Sequence, residues 1–170
     1  MSTQDISMHR ASIPVFVRAL RIVDTLLTKA EAHESAAGLA PGSLIGARLA
    51  DDMLPLSGQV QRMSDSAKLA AARLTGVDAP RFEDAETTYP QLHERVARTI
   101  AFLETVDASA FEGSREREVV VRAGKTEKTF GGEQYLFEFA IPNVFFHVTT
   151  AYAILRHRGV PIGKLDYLGG

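Results

Sequence analysis

The sequence predicts an all-α fold, a four-helix bundle with one short β-hairpin between its third and fourth helices. Three observations carry this. Apolar side chains recur every three or four residues through four long stretches, the spacing of a bundle seam. Proline, glycine and capping residues bound those stretches. Between the third and fourth, the pattern gives way to a β-branched run.

The first helix is read from Ile13, Phe16, Leu20, Val23, Leu27 and Ala30, with Pro14 in its first turns or kinking it there, and Gly38 and Pro41 ending it. The second is read from Leu56, Val60, Met63, Ala67, Ala70 and Leu74, with Asp51 or Asp52 as cap and Gly76 as stop. Residues 75–87 read as a loop long enough to cross the bundle. The third helix is read from Tyr89, Leu92, Val96, Ile100, Leu103 and Val106, and Thr88 with Gln91 has the spacing of a capping box. Residues 117–122 and 126–130 form the hairpin, with Ala123-Gly124-Lys125 as its turn. The fourth helix starts near Gly132 or Glu133 and runs to about Arg158, with a kink expected near Pro142. The tail from Lys164 reads as irregular.

Composition narrows the function classes. The 170 residues suit a single domain spanning 1–170, large enough to fold without disulfide or metal. With no cysteine, there is no thiolate metal site and no thiol nucleophile. A net charge of −2, without basic residues interleaved with aromatics, gives no support to nucleic-acid binding. The polar N-terminus and the interrupted apolar stretch 137–155 argue against a signal or a membrane span, so a soluble cytoplasmic chain is expected. The aromatic cluster of Tyr135, Phe137, Phe139, Phe145, Phe146 and Tyr152 reads mostly as core. A fourth helix apolar on more than one face also suggests a homodimer contact.

Five histidines hold the most informative chemistry. His147 sits in the most apolar helix, one helical repeat after Asn143, so both side chains can share a face, and Gln59 of the second helix is the candidate third group. This trio reads either as a hydrogen-bonded polar cluster, as a small-molecule pocket, or as a metal site with His147 as its one strong ligand, amides being poor ligands for zinc or nickel. His9, His33, His93 and His157 read as surface groups, and Asp65 and Glu138 as candidate buried carboxylates. No Glu-x-x-His pair, second His-Glu-x-x-His histidine, Gly-x-Ser-x-Gly or phosphate loop is present. Gly131-Gly132 reads as the turn from hairpin to helix.

The run from Asn143 through His147 to Leu155-Arg156 and Gly159-Val160-Pro161 resembles the last helix of the DinB/YfiT-like superfamily. Ser12 to Phe16, Ala47 to Met53, Gln59 to Gln61 and Gly163 to Gly169 extend that likeness to a DinB-like branch consisting of a domain of unknown function. The resemblance implies an up-down-down-up order of helices. It also implies a superfamily site in which three histidines hold a divalent metal, used by some relatives for thiol S-transfer and by others for maleylpyruvate isomerisation. Carried over by position, His147 matches one ligand, while Asn143 and Gln59 stand where the other two histidines would be. The expectation is therefore a DinB-like bundle that binds a small molecule at His147, Asn143 and Gln59, with no cofactor and no tight zinc or nickel. The alternatives are a divalent-metal-dependent transferase or hydrolase, and a non-catalytic homodimeric module.

Overall fold

The computed structural model describes residues 6–123 and 125–169. The chain is mostly helical with one two-stranded antiparallel sheet. Helix α1 spans Met8–Ala37, α2 Leu56–Thr75 and α3 Tyr89–Glu104. Strands β1 (Glu118–Ala123) and β2 (Thr126–Gly131) follow. Helix α4 then runs without a break through a first turn at Gly132–Gln134, a π-helical stretch at Tyr135–Ala140 and an α-helical stretch at Ile141–His157. A short α5, Lys164–Leu168, completes the chain.

The periodic stripes are the core. Phe16, Leu20, Leu27 and Ala30 of α1, and Leu56, Val60, Met63, Ala67, Ala70 and Leu74 of α2, are wholly buried. Helices α1 and α2 each pack against both α3 and α4. The hairpin lays Val119, Val121 and Phe130 on this core, with Val119 opposite Phe130. Covering by the helices is what allows a two-stranded ribbon to persist. The turn expected at 123–125 centres on Gly124, outside the described residues.

The caps explain where the helices begin. Thr88 Oγ1 accepts from the Gln91 N–H, and Gln91 Oε1 accepts from the Thr88 N–H, so the capping box of α3 forms as the spacing predicts. Thr88→Ala is expected to cost about 1 kcal/mol, read by urea denaturation. Helix α2 differs from expectation. Neither Asp51 nor Asp52 caps it, and its N-cap is Pro55 without a side-chain bond. Backbone replaces the side chain there: Leu56 N–H donates to Ala47 O and Ser57 N–H to Ile45 O.

Two buried charges fix the loops. The Glu34 carboxylate, 2% exposed, accepts from the Gly42 and Leu44 amides, from Ser43 and from the Tyr89 hydroxyl. That clamp sets the connection after α1, while burial and the adjacent carboxylate push the Tyr89 pKa up. Arg95 of α3 holds the connection after α2. It is 3% exposed and pairs with Asp65 at 2.9 Å, Asp84 at 3.0 Å and Glu86 at 2.9 Å.

Other departures are local. The irregularity near Pro142 takes the form of a widened turn: Ile141 N–H donates to Leu136 O five residues back. Proline has no N–H and its ring crowds the carbonyl four residues before it, so the chain winds wider just upstream. The tail is ordered as α5 rather than irregular. Asp166 accepts from the Gly163 N–H and pairs with Lys29, and Arg18 donates to Leu168 O, tying this segment to α1. It is too short to show a periodic stripe in sequence. Among the described residues, no helix is long and apolar enough to cross a membrane.

Candidate functional site

One face of α2 and one face of α4 meet along a cavity of about 480 Å³, closed on one side by β1. Helix α2 supplies Arg62, Ser66, Leu69 and Arg73, a stripe beside its core seam, together with Asp65. Helix α4 supplies Tyr135, Phe139, Asn143 and His147, one every fourth residue. Val121 and Arg122 come from β1. The volume falls within the usual range for small-molecule sites.

His147 lies where one end of this cavity meets the buried Gln59. Its Nδ1 is 2.8 Å from Gln59 Oε1, and Gln59 Nε2 donates to Leu54 O at 3.0 Å. The Leu54 carbonyl accepts only from the amide nitrogen, so Oε1 must face the imidazole. An amide oxygen only accepts, so Nδ1 carries the proton and Nε2 is left as the ring's open acceptor. Burial lowers the His147 pKa, and the Arg62 charge lowers it further, to about 4. The ring is neutral at pH 7.

Asn143 shares the cavity with His147, as the spacing predicts, but its Nδ2 donates to Ser66 Oγ at 2.8 Å. Gln59 bonds His147 from behind and does not line the cavity. The three polar residues thus divide: two face the cavity, and the third orients one of them.

The opposite end holds a pair the sequence did not single out. Arg73 Nη1 donates to the Tyr135 hydroxyl at 3.0 Å. Tyr135 is 1% exposed and its ring stacks on Phe139. Burial raises the Tyr135 pKa, while the Arg73 bond and charge act the other way. The available signal was the second α2 stripe, at 62, 66, 69 and 73, which matches the four-residue steps of α4.

The remaining candidates resolve as structure. Asp65 pairs with Arg95, Lys68 and Arg62. Glu138, expected to be a buried carboxylate, is exposed and accepts from Gln134, because its side chain points off the core face of α4. His93, expected to be solvated, is half-buried against Asp24 at 2.5 Å, since α1 passes beside α3. His9 is half-buried and packs edge-on against Phe111. His157 is exposed in the last turn of α4. In the aromatic cluster Tyr135 is core, whereas Phe137 and Phe146 are about half exposed, at 50% and 55%. A second depression of about 320 Å³ covers Phe82, Arg95 and Glu86, but its central charges are already paired with one another.

The sequence profile of DUF1993, a domain of unknown function, matches residues 8–168. The chain belongs to the DUF1993 family. This DUF1993 chain is also 36% identical to a DinB family member protein from Shewanella denitrificans, known from its crystal structure, at a TM-score of 0.90. The alignment covers 96% of this chain and 92% of that one, so the fold is DinB-like. Among curated proteins nothing matches the DUF1993 chain.

The superfamily metal implied by the resemblance can be tested against the donors present. His147 is the one imidazole at the three positions. The Gln59 amide is spent on His147 and Leu54, and the Asn143 amide nitrogen on Ser66. Zinc and nickel favour imidazole, thiolate or carboxylate over amide oxygen. Among the described residues, no group of three or more His, Asp or Glu side chains is placed to hold a metal. This donor set does not fit a tight divalent site.

Proposed function

We propose that this DinB-like chain binds a small molecule in the α2–α4 cavity, using His147 as a neutral hydrogen-bond acceptor and without a tightly held divalent metal. The observation that carries the reading is the locked imidazole: Gln59 Oε1 accepts from the Nδ1–H and leaves Nε2 open beside Asn143. A pKa of about 4 argues for binding over proton transfer, because an efficient general base titrates near the working pH.

The helix order belongs to the same proposal, an up-down-down-up bundle. Three sets of bonds support it. Asp24–His93 and Glu34–Tyr89 run in opposite directions along α1 and α3. Gln61–Arg95 and Ser64–Thr99 run in the same direction along α2 and α3. Gln59–His147, Ser66–Asn143 and Arg73–Tyr135 step in opposite directions along α2 and α4.

The test is a pH titration of the His147 imidazole by nitrogen-detected NMR, with metal analysis of the purified protein. The expected result is an Nδ1–H ring that stays neutral down to about pH 4 and no stoichiometric metal. Zinc or nickel at one per chain, lost in His147→Ala, would overturn the reading.

A stability prediction follows from the same ring. Its pKa is lower folded than the ordinary 6.5, so the unfolded chain binds the proton first. The stability this group contributes is whole above pH 6.5 and is lost as pH falls toward 4. His147→Gln should therefore lose less stability than wild type over that window. The difference should be about 1–2 kcal/mol after solvent screening of a partly exposed ring, read from urea midpoints.

A further inference from the structure

The cavity has two chemically different ends, and the end away from His147 is built for a negative charge. Arg73 has no carboxylate within salt-bridge distance among the described residues, whereas Arg62 and Arg122, on the same cavity, are paired with Asp84 and Glu127. One Arg73 nitrogen donates to the Tyr135 oxygen, so the tyrosine O–H is left to donate away from the guanidinium. Among the described residues, the remaining Arg73 N–H groups and the Tyr135 O–H have no acceptor. A site of donors only, around a fixed cation, selects an anion with at least two oxygens.

Leu69, Phe139 and Val121 give the middle of the cavity an apolar wall, and the one lining carboxylate, Asp65, is neutralised by Arg62, Lys68 and Arg95. Arg73 lies two helical turns from Ser66 on α2, about 10 Å along the axis; Ser66 marks the level of Asn143, and His147 is one turn, about 6 Å, beyond it. We propose that the ligand is an elongated organic carboxylate. Its charged end sits on Arg73 and Tyr135, its apolar body lies along Leu69 and Phe139, and its far end donates a hydroxyl or amine hydrogen to His147 Nε2. This inference rests on the binding reading above and adds the ligand's chemical class and orientation.

The test uses 8-hydroxyoctanoate, 1,8-octanediol and inorganic phosphate as probes, with NMR shifts of the full chain as readout. The expected result is that the hydroxy acid moves both the Tyr135 and the His147 signals and binds at least tenfold more tightly than the diol. Arg73→Gln and Tyr135→Phe should each remove most of that preference while leaving the His147 tautomer unchanged. Tyr135→Phe deletes one oxygen and guards against a folding defect in the arginine variant. Equal binding of diol and hydroxy acid would overturn the carboxylate inference and leave the cavity reading standing. Phosphate binding as tightly as the hydroxy acid, at Tyr135 alone, would overturn the elongated carboxylate in favour of a compact anion. No movement of His147 or Tyr135 with any probe would overturn both readings.

Discussion

Arg95→Met is expected to destabilise the chain by about 3–5 kcal/mol, the range for removing one partner of a buried charge network. The guanidinium is almost wholly buried and bridges α2, α3 and the connection between them through Asp65, Asp84 and Glu86. The remaining charges do not share the loss equally. Asp65 keeps Lys68 and Arg62, and Asp84 keeps Arg62. Glu86 keeps the Gln61 amide and a bond from its own backbone, but no other cation among the described residues. Burial alone would raise the Glu86 pKa, but bonds from Arg95 and Gln61 hold it below the ordinary carboxylate value. Without Arg95 burial is opposed by fewer bonds and no cation, so the loop should release around Glu86 first. Urea denaturation reads the stability, and hydrogen exchange across residues 81–87 reads the release. Arg98→Met is the control, since Arg98 is exposed and only covers the Phe82 ring. It should cost less than about 0.5 kcal/mol. Equal costs for the two variants would show that the network does not hold the loop.

Gly132→Ala is expected to destabilise by about 3 kcal/mol, at the upper end for overpacking. A Cβ at this position would stand 1.8 Å from the Ser114 carbonyl oxygen, which is backbone and cannot swing aside. Its neighbour provides the contrast. A Cβ on Gly131 would meet Arg115 O at 3.8 Å, an ordinary contact, and its φ of −71° suits any residue. Gly131→Ala should therefore be close to neutral, and thermal melts of both variants check the pair. The second glycine is required by the close approach of two backbone segments rather than by the turn that the sequence suggested. Tyr135 is buried one helical turn further on, so Gly132→Ala should also disturb the Arg73–Tyr135 end of the cavity.

Much of the fold could be read from the sequence because the features that specify it are local. The seams of α1 and α2, the Thr88–Gln91 box and the β-branched run of the hairpin are each complete within a few residues. The Asn143 and His147 face was readable for the same reason, a four-residue step on one helix. What stayed hidden depends on contacts distant in sequence. Arg95 sits on the buried face of α3 with Leu92, Val96 and Thr99. A charge on an apolar stripe was a usable sign, but its partners come from a loop whose course no period reveals. Asp51 and Asp52 had the right chemistry for a cap, yet the docked carbonyls of Ala47 and Ile45 had taken the role. Arg73 and Tyr135 belong to two helices, and each alone looks like an ordinary surface arginine and an ordinary core aromatic.

The wide turn at Tyr135–Ala140 has a consequence for how the two ends of the cavity stay in phase. An α-helix advances about 100° per residue, so an uninterrupted one would carry Tyr135 about 120° around the axis from His147 and off the cavity wall. A π stretch winds more slowly, at roughly 80° per residue, and six such residues return most of that angle. The stretch acts as a vernier between two rigid parts: the lower helix sets the angle of His147, and the hairpin sets that of Tyr135. Removing one residue from 136–140 would convert the turn to ordinary winding, with eleven steps instead of twelve between Tyr135 and His147. Eleven steps of about 100° bring the two within about 20° of each other, so the polar ends would stay aligned: the wide turn lets this segment carry one extra residue without losing phase.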